Sequence, residues 1–267
     1  MSERERLRRT FGEDAELYDR CRPSYPDELY EDLAALVGPN PRVRVLEIGC
    51  GTGQATRPLA DLGWAVTAVE LSADLAAVAR RKLADRPGVE IVVGSFEEWA
   101  LRDEGFDLVL AATSFHWIDP ELRVAKAAAA LRPGGRLAVV STHHIAGGSL
   151  RFFESVQRCY ERFMPGTPPG LRLAPADTVP RDSAEIDESR TFGPVTFRRY
   201  EWEREYTTAG YLDLLSTYSG HRSLAPRSRH GLYACITDLI DGEHGGRIRK
   251  RYLTQLMAAT KTLPVHV

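Results

Sequence analysis

Residues 45–54 read Val45-Leu46-Glu47-Ile48-Gly49-Cys50-Gly51-Thr52-Gly53-Gln54, an apolar run followed by three glycines at alternate positions. The apolar run predicts a buried strand, and the glycines predict a tight turn that leads into a helix. Glycine has no Cβ atom, so a backbone of this composition lets a ligand approach closely. The segment therefore predicts a strand, turn and helix that bind a small molecule at the turn.

Short apolar segments and helical patterns alternate on both sides of this turn. Together with the strand before the turn, which covers 43–48, buried strands are predicted at 65–70, 89–93, 106–111 and 136–141. Helical patterns lie between them at about 54–62, 73–85 and 120–131. Strands that alternate with helices favour right-handed βαβ units, so we predict a parallel sheet with helices on both faces.

The regular alternation stops after Ser141. The later pattern predicts helical residues at 150–163, a proline-rich loop or lid at 164–185, a strand at 195–207, helices at 208–217 and 225–241, and a last strand at about 247–259. We expect one domain of four parts: an N-terminal helical lid (1–40), a cofactor-binding core (41–144), an inserted cap (145–195), and C-terminal strands and helices that complete the sheet (196–267). The length of the chain suits one α/β domain with such an appendage.

The acidic residues around the glycines separate two classes of nucleotide site. The second predicted strand ends in Glu70, a position from which a carboxylate accepts hydrogen bonds from ribose hydroxyls. A dinucleotide-binding turn has Gly or Ala at its sixth position, whereas Gln54 stands there in this chain. Glu47, two residues before the first glycine, is a further difference. An NAD(P)-dependent oxidoreductase therefore stays as an alternative rather than the first interpretation.

These features together resemble the class I S-adenosylmethionine-dependent methyltransferases. The similarity extends to Glu70-Leu71-Ser72, Phe106-Asp107-Leu108-Val109, Phe115-His116-Trp117 and Leu131-Arg132-Pro133-Gly134-Gly135. The opening Tyr18-x-x-x-Arg22-Pro23-x-Tyr25-Pro26 and the ending Ile248-Arg249-Lys250-Arg251-Tyr252-Leu253-Thr254 resemble the small-molecule, type 11 subgroup near the trans-aconitate methyltransferases. The resemblance implies a Rossmann-like, seven-stranded, mostly parallel sheet whose last strand is antiparallel.

The resemblance also implies which residues contact the cofactor, S-adenosylmethionine. Gly49, Gly51 and Gly53 would line its methionine and ribose portions, Glu70 would bind the ribose hydroxyls, Leu71, Ser95 and Phe96 would lie against the adenine, and Tyr18 and Arg22 would approach the carboxylate. Glu47 and Ser114 complete the expected cofactor-binding set. A guanidinium is the natural fork-shaped partner of a carboxylate, which suits the role of Arg22.

His116 is the candidate catalytic residue. It follows the fourth predicted strand, where ligands bind in open α/β sheets, and a histidine there can serve as a general base or position the acceptor. The tripeptide Phe115-His116-Trp117 can equally form a pocket wall or cap the next helix. Tyr25, Trp117, His143 and His221 are the expected substrate-pocket residues. No HxH or HExxH spacing is present, so we expect no metal.

We therefore expect SN2 transfer of a methyl group to an oxygen, nitrogen or carbon of a small molecule, with S-adenosylhomocysteine as the second product. A non-catalytic or cyclase-type S-adenosylmethionine-binding protein is a second alternative, because the motif reports binding alone. The formal net charge is −2, which gives no reason to expect nucleic acid or a membrane surface as a partner. Ser114-Phe115-His116-Trp117 also stands where amino-methylating DNA enzymes have Asn/Asp-Pro-Pro-Tyr.

Cysteine spacing and the N-terminal sequence bear on the location of the chain. The four cysteines form no CxxC pair, and the first residues contain no apolar signal region. We accordingly expect a cytoplasmic protein with reduced thiols, either a monomer or a homodimer.

Overall fold

A computed structural model describes residues 3–40, 42–101 and 105–263. Its strands are β1 (Arg44–Ile48), β2 (Ala65–Glu70), β3 (Val89–Val93), β4 (Phe106–Ala112), β5 (Leu131–Ile145), β6 (Thr196–Thr207) and β7 (Arg247–Thr260). Its α-helices are α1 (Glu3–Arg8), α2 (Ala15–Cys21), α3 (Asp27–Val37), α4 (Thr56–Asp61), α5 (Ala73–Lys82), α6 (Arg123–Ala130), α7 (Leu150–Ser155), α8 (Gln157–Phe163), α9 (Ala184–Glu188), α10 (Thr208–Ser216), α11 (Ser219–Arg222) and α12 (Pro226–Glu243). Short 3-10 helices cover Arg9–Asp14, Phe115–Trp117 and Ala176–Thr178.

The strands form one seven-stranded sheet in the order β3-β2-β1-β4-β5-β7-β6. The strands from β3 to β5 pair in parallel, and the sheet ends in antiparallel strands, which confirms the predicted fold class. The chain builds β1, β2 and β3 outward in one direction and then returns to place β4 on the other side of β1. Such a reversal opens a crevice at the carboxyl ends of β1 and β4, where α/β sheets bind their ligands.

The chain divides into two compact units. Unit 1 comprises Met1–Arg22, His143–Pro180 and Glu201–Leu253, and unit 2 comprises Pro23–Thr142, Arg181–Tyr200 and Thr254–Val267. The glycine-rich turn and the parallel strands that carry it lie in unit 2.

Alternate residues of the unit 2 strands enter two separate apolar clusters. Val45 and Leu108 belong to one cluster, whereas their chain neighbours Leu46 and Val109 belong to the other. Side chains of a strand point alternately to opposite faces, so both faces of this sheet are buried. This burial explains why the strands read as continuous apolar runs rather than as alternating polar and apolar residues.

Unit 1 has its own core of helices and aromatic rings, and a disulfide bond joins two of its helices. Phe152, Leu214 and Ile236 are fully buried in this core. Cys159 on α8 and Cys235 on α12 form the disulfide, whereas Cys21 and Cys50 are free. The expectation of reduced thiols was wrong for this pair, because packing of two helices that are distant in sequence brings the sulfurs together and spacing along the chain does not reveal it.

Several elements differ in their bounds from the sequence predictions. The strand expected at 136–141 begins at Leu131 and includes the Pro-Gly-Gly segment at 133–135. The helical pattern at 150–163 forms two helices that meet at Val156. The proline-rich stretch is largely irregular and contains the short helix at Ala176–Thr178. Within the described ranges, every helix is too short or too polar to span a bilayer.

We predict that replacing Cys159 and Cys235 by serine lowers the free energy of unfolding by about 2–4 kcal/mol, because the disulfide closes a long loop of the unfolded chain. Urea unfolding without reductant measures this change. Cys21→Ser, which alters a free thiol, is the matched control and should change stability little. A double variant as stable as the parent, or detection of four reactive thiols in denaturant before reduction, would contradict the prediction.

Candidate cofactor site

The turn between β1 and α4 needs glycine for its backbone conformation. Gly49, Gly51 and Gly53 all have positive φ, at 72°, 59° and 90°. A side chain on Gly49 would also collide, because its Cβ would lie 2.7 Å from the Cβ of Ser114. The amide of Gly49 donates to the carbonyl of Val69 at 2.7 Å, which ties the turn to the end of β2. The glycines therefore allow the backbone conformation of the turn and leave its backbone atoms uncovered by side chains.

Glu70 holds the glycine turn through its carboxylate. Oε2 accepts the amide of Gly51 at 2.8 Å, and Oε1 accepts the amide of Ser72 at 2.9 Å. The residue is 6% exposed, so burial raises the pKa of Glu70 while these backbone donors act in the opposite direction. Each carboxylate oxygen has a second lone pair, so Glu70 can accept further hydrogen bonds from a ligand.

Glu47 is buried deeper than the turn. It is 1% exposed, and its Oε2 accepts the hydroxyl of Thr56 at 2.7 Å. Burial raises the pKa of Glu47 to about 7, with a contribution from the nearby charge of Glu70. This hydrogen bond joins β1 to the first residue of α4, so Glu47 links the two elements that flank the glycine turn.

The end of β4 contributes a strained residue beside the turn. Thr113 has φ of +57°, a conformation in which a β-branched residue is a genuine outlier. The hydroxyls of Tyr25 and Thr113 lie 2.9 Å apart. The adjacent Ser114 is buried, and its hydroxyl donates to the carbonyl of Ile48 at the end of β1. Local strain of this kind clusters at binding sites, and nothing in the sequence pattern signals it at Thr113.

Residues expected near the adenine lie after β2 and β3. Leu71 is half-buried, and Phe96 is buried with the ammonium of Lys126 5.5 Å from its ring centroid. The hydroxyl of Ser95 donates to Glu97 at 2.6 Å. Glu97 is not among the residues expected from the sequence, and its carboxylate also accepts the amide of Asp119 at 3.3 Å.

His116 borders a cavity of unit 2. The cavity has a volume of about 210 Å³ and is lined by Phe115, His116, Arg123, Val139, Val140, Ser141, Asp182, Ser183, Glu185, Ile186 and Met257. His116 is an exposed residue, and its imidazole lies 4.8 Å from the ring centroid of Trp117. Shielding from water by the surrounding protein lowers the pKa of His116, and the charge of Arg123 lowers it further. The ring is therefore neutral near pH 7 and able to accept a proton.

Arg123 and Glu185 form a bidentate ion pair at the rim of this cavity. Nε and Nη2 of Arg123 donate to the carboxylate of Glu185 at 2.6–2.9 Å. Nη1 donates to the carbonyl of Phe115 at 3.1 Å. Paired parallel hydrogen bonds of this type hold both side chains in one geometry. The pair ties α9 to α6, and sequence analysis missed it because the two residues are far apart in the chain.

Four predicted site residues belong to unit 1. Arg22 donates through Nη2 to the carbonyl of Thr217 at 2.9 Å, and its guanidinium lies 5.0 Å from the ring centroid of Tyr18. His221 is buried with Nε2 3.2 Å from the hydroxyl of Tyr160, whereas His143 is half-buried. Burial and the charge of Lys250 lower the pKa of His221 to about 4. In the part of the chain that the structure describes, no group of three His, Cys, Asp or Glu side chains is arranged to hold a metal ion.

Several proteins similar to this chain are described as methyltransferases. Residues 46–139 match the family described as a methyltransferase domain. An uncharacterized methyltransferase of Mycobacterium tuberculosis (strain H37Rv) is 39% identical over 131 residues, which are 49% of this chain and 51% of that relative. The chain thus spans about half the length of this relative. An uncharacterized methyltransferase of Schizosaccharomyces pombe is 25% identical over 87% of both chains.

A solved structure supports the fold. A phosphoethanolamine N-methyltransferase 2 of Haemonchus contortus, in complex with S-adenosyl-L-methionine, superposes with a TM-score of 0.56 at 18% identity. The superposition covers 98% of this chain and 60% of that one. At this identity the similarity concerns the fold alone.

The raised pKa of Glu47 predicts a pH-dependent stability. Because the folded state holds its proton more tightly than the unfolded state, the stability that Glu47 contributes is fully present below about pH 4.5 and is lost as the pH rises to about 7. Relative to Glu47→Gln, the free energy of unfolding of the parent should fall across this window by up to about 3 kcal/mol. Urea unfolding at several pH values measures the difference. The exposed Glu121→Gln should give a curve parallel to the parent, and a parallel curve for Glu47→Gln would contradict the prediction.

Proposed function

We propose, from the premise that this chain carries a class I S-adenosylmethionine-dependent methyltransferase domain, that it transfers a methyl group from S-adenosylmethionine to a small-molecule acceptor. The observation that carries the proposal is the Glu70 carboxylate, which holds Gly51 at the carboxyl ends of the parallel strands. A nucleoside would find there a bare glycine backbone and a carboxylate that can accept its ribose hydroxyls.

The residues of unit 2 fit this cofactor. The glycines carry no side chain that would cover the turn, and Glu70 keeps lone pairs available for the ribose. Leu71 and Phe96 offer apolar surface for the adenine, and Ser95 offers a hydroxyl. We assign Glu47 a positioning role, because its carboxylate is buried on Thr56.

When bound, S-adenosylmethionine would supply a methyl group on a positively charged sulfur, and the electron pair of the broken S–C bond would stay on that sulfur as S-adenosylhomocysteine. The chain itself has to orient the acceptor and receive its proton. His116 is the candidate for the proton, because its neutral imidazole borders the cavity. Phe115 and Met257 line the same cavity and help to exclude water.

The partners and location of the protein are also proposals. We infer a small-molecule acceptor, a monomer or homodimer, and no nucleic acid or membrane partner, from the net charge of −2 and the small volume of the cavity. We keep cytoplasmic location as the proposal. The Cys159–Cys235 disulfide is the feature that argues against it, since such bonds are rare in the cytosol.

Calorimetric titration with S-adenosylhomocysteine tests the cofactor, with NADH as the control ligand. We expect micromolar binding of S-adenosylhomocysteine and none of NADH. Glu70→Ala should weaken the binding by about 1–3 kcal/mol, or about 5- to 150-fold, on the scale of a buried charged hydrogen bond.

Two further variants make this titration specific. Glu70→Gln keeps the shape of the side chain and guards against loss of folding, and the exposed Glu121→Ala should bind as the parent does. Binding of NADH alone would overturn the proposal, and unchanged affinity in both Glu70 variants would remove Glu70 from the site.

Release of S-adenosylhomocysteine with an acceptor found by screening tests His116. For an acceptor with a phenol or amine, His116→Asn should lower kcat by about 100-fold or more and remove the decline of the rate at acid pH. The decline in the parent reflects protonation of the imidazole, whose lowered pKa places it below the usual range for histidine. His230→Asn, an exposed histidine on α12, is the control. An unchanged kcat in His116→Asn would exclude the base role.

A further inference from the structure

Lys250 is a cation buried in unit 1 on the inward side of β7. The outward residues Arg247, Arg249 and Arg251 form ion pairs with Glu205, Glu203 and Glu201 of β6. Side chains alternate along a strand, so Ile248, Lys250 and Tyr252 point to the opposite side, where all three are buried. The carboxylates of β6 are therefore committed to the outward face, away from Lys250.

The partners of Lys250 among the described residues are tyrosines rather than carboxylates. Its ammonium donates to the hydroxyl of Tyr218 at 3.2 Å and lies 4.9 Å from the ring centroid of Tyr252. Among the described residues, no ion pair includes Lys250, which is 4% exposed. Burying an ammonium without a counter-charge costs free energy, so binding of an anion beside Lys250 would be favourable.

The basic groups around Lys250 add positive charge and supply no negative charge. The guanidinium of Arg22 lies 4.6 Å from the ring centroid of Tyr218, which adds a second cation. His144 and His221 also feel the charge of Lys250, and burial together with that charge lowers the pKa of each well below its usual range. Both imidazoles are therefore neutral near pH 7 and provide no charge of either sign.

His144 leaves a polar atom unused beside this cluster. Its Nε2 is buried and has no hydrogen-bond partner among the described residues. Its ring lies 4.4 Å from Phe153 and 6.3 Å from Tyr252. A buried polar atom without a partner commonly marks a place that a water or a ligand occupies.

We propose that Lys250, Tyr218 and His144 form a binding site in unit 1 for a small oxyanion, a carboxylate or a phosphate. The ammonium supplies the positive charge, and the hydroxyl and the imidazole supply hydrogen bonds. The aromatic rings of Phe153 and Tyr252 shield the ammonium and a bound anion from water, which strengthens the attraction between their opposite charges. An anion held there would provide the counter-charge that the described residues do not.

The test is titration of the full chain with sodium acetate and with sodium phosphate, followed by calorimetry at constant ionic strength near neutral pH. We expect saturable, millimolar binding of at least one anion, and the tighter of the two identifies the carboxylate or the phosphate as the ligand group. Acetamide, the neutral analogue of acetate, should not bind. Lys250→Met should weaken binding by about tenfold or more, because a charged hydrogen bond is lost.

Two variants complete the design. Tyr218→Phe keeps the ring, removes the hydroxyl and should also weaken binding, so the test does not depend on the folding of Lys250→Met. Arg249→Met changes the adjacent, outward-facing cation of the same strand and should bind as the parent does. The readout is anion binding, so the result is independent of whether the protein transfers methyl groups.

Three results would overturn the proposal. One is the absence of saturable binding of either anion, and another is equal binding by Lys250→Met and the parent. The third is a tyrosinate absorption band at neutral pH that disappears in Tyr218→Phe. Although burial opposes it, the charges of Lys250 and Arg22 lower the pKa of Tyr218, so an ionised Tyr218 would supply the counter-charge from within the chain.

Discussion

The carboxylate of Glu70 is the contact on which the cofactor site depends. By accepting the amides of Gly51 and Ser72, it fixes the glycine turn against the end of β2. Burial of this charge is unfavourable by itself, and the two backbone donors offset part of that cost. The same oxygens would accept the ribose hydroxyls. Glu70 would therefore both fix the conformation of the glycine turn and recognise the ligand. Stability of the turn and affinity for the cofactor are therefore coupled through one side chain.

The two units bury charges of opposite sign. Unit 2 buries the acids Glu47 and Glu70, which are satisfied by a hydroxyl and by backbone amides. Unit 1 buries the cation Lys250 among tyrosines, beside the guanidinium of Arg22. Burial of a charge costs free energy, and ionisable groups in unusual surroundings cluster at functional sites, which is why each cluster points to a binding function. A cofactor with ribose hydroxyls suits the acids, and an oxyanion suits the cation.

Elements with strong local patterns were predicted closely. The strands expected at 65–70 and 89–93 have the observed bounds, because the apolar pattern that predicts them acts over short distances. The start of β5 was placed too late, because Leu131 already pairs with Phe106 of β4 and the pairing resumes at Arg136 after an irregular stretch that contains Pro133 and two glycines. Pairing within the sheet overrode the local preference at that point.

The candidate site divides in the same way. The glycine turn and the acid at the end of β2 follow from the order of residues along the chain, because a strand, a turn and a helix are local and their sequence requirements are strict. The Cys159–Cys235 disulfide, the Arg123–Glu185 pair and the Lys250–Tyr218 contact each join residues from distant parts of the chain. Such pairs depend on how helices and strands pack after they form, and a single sequence holds no local pattern that reports it.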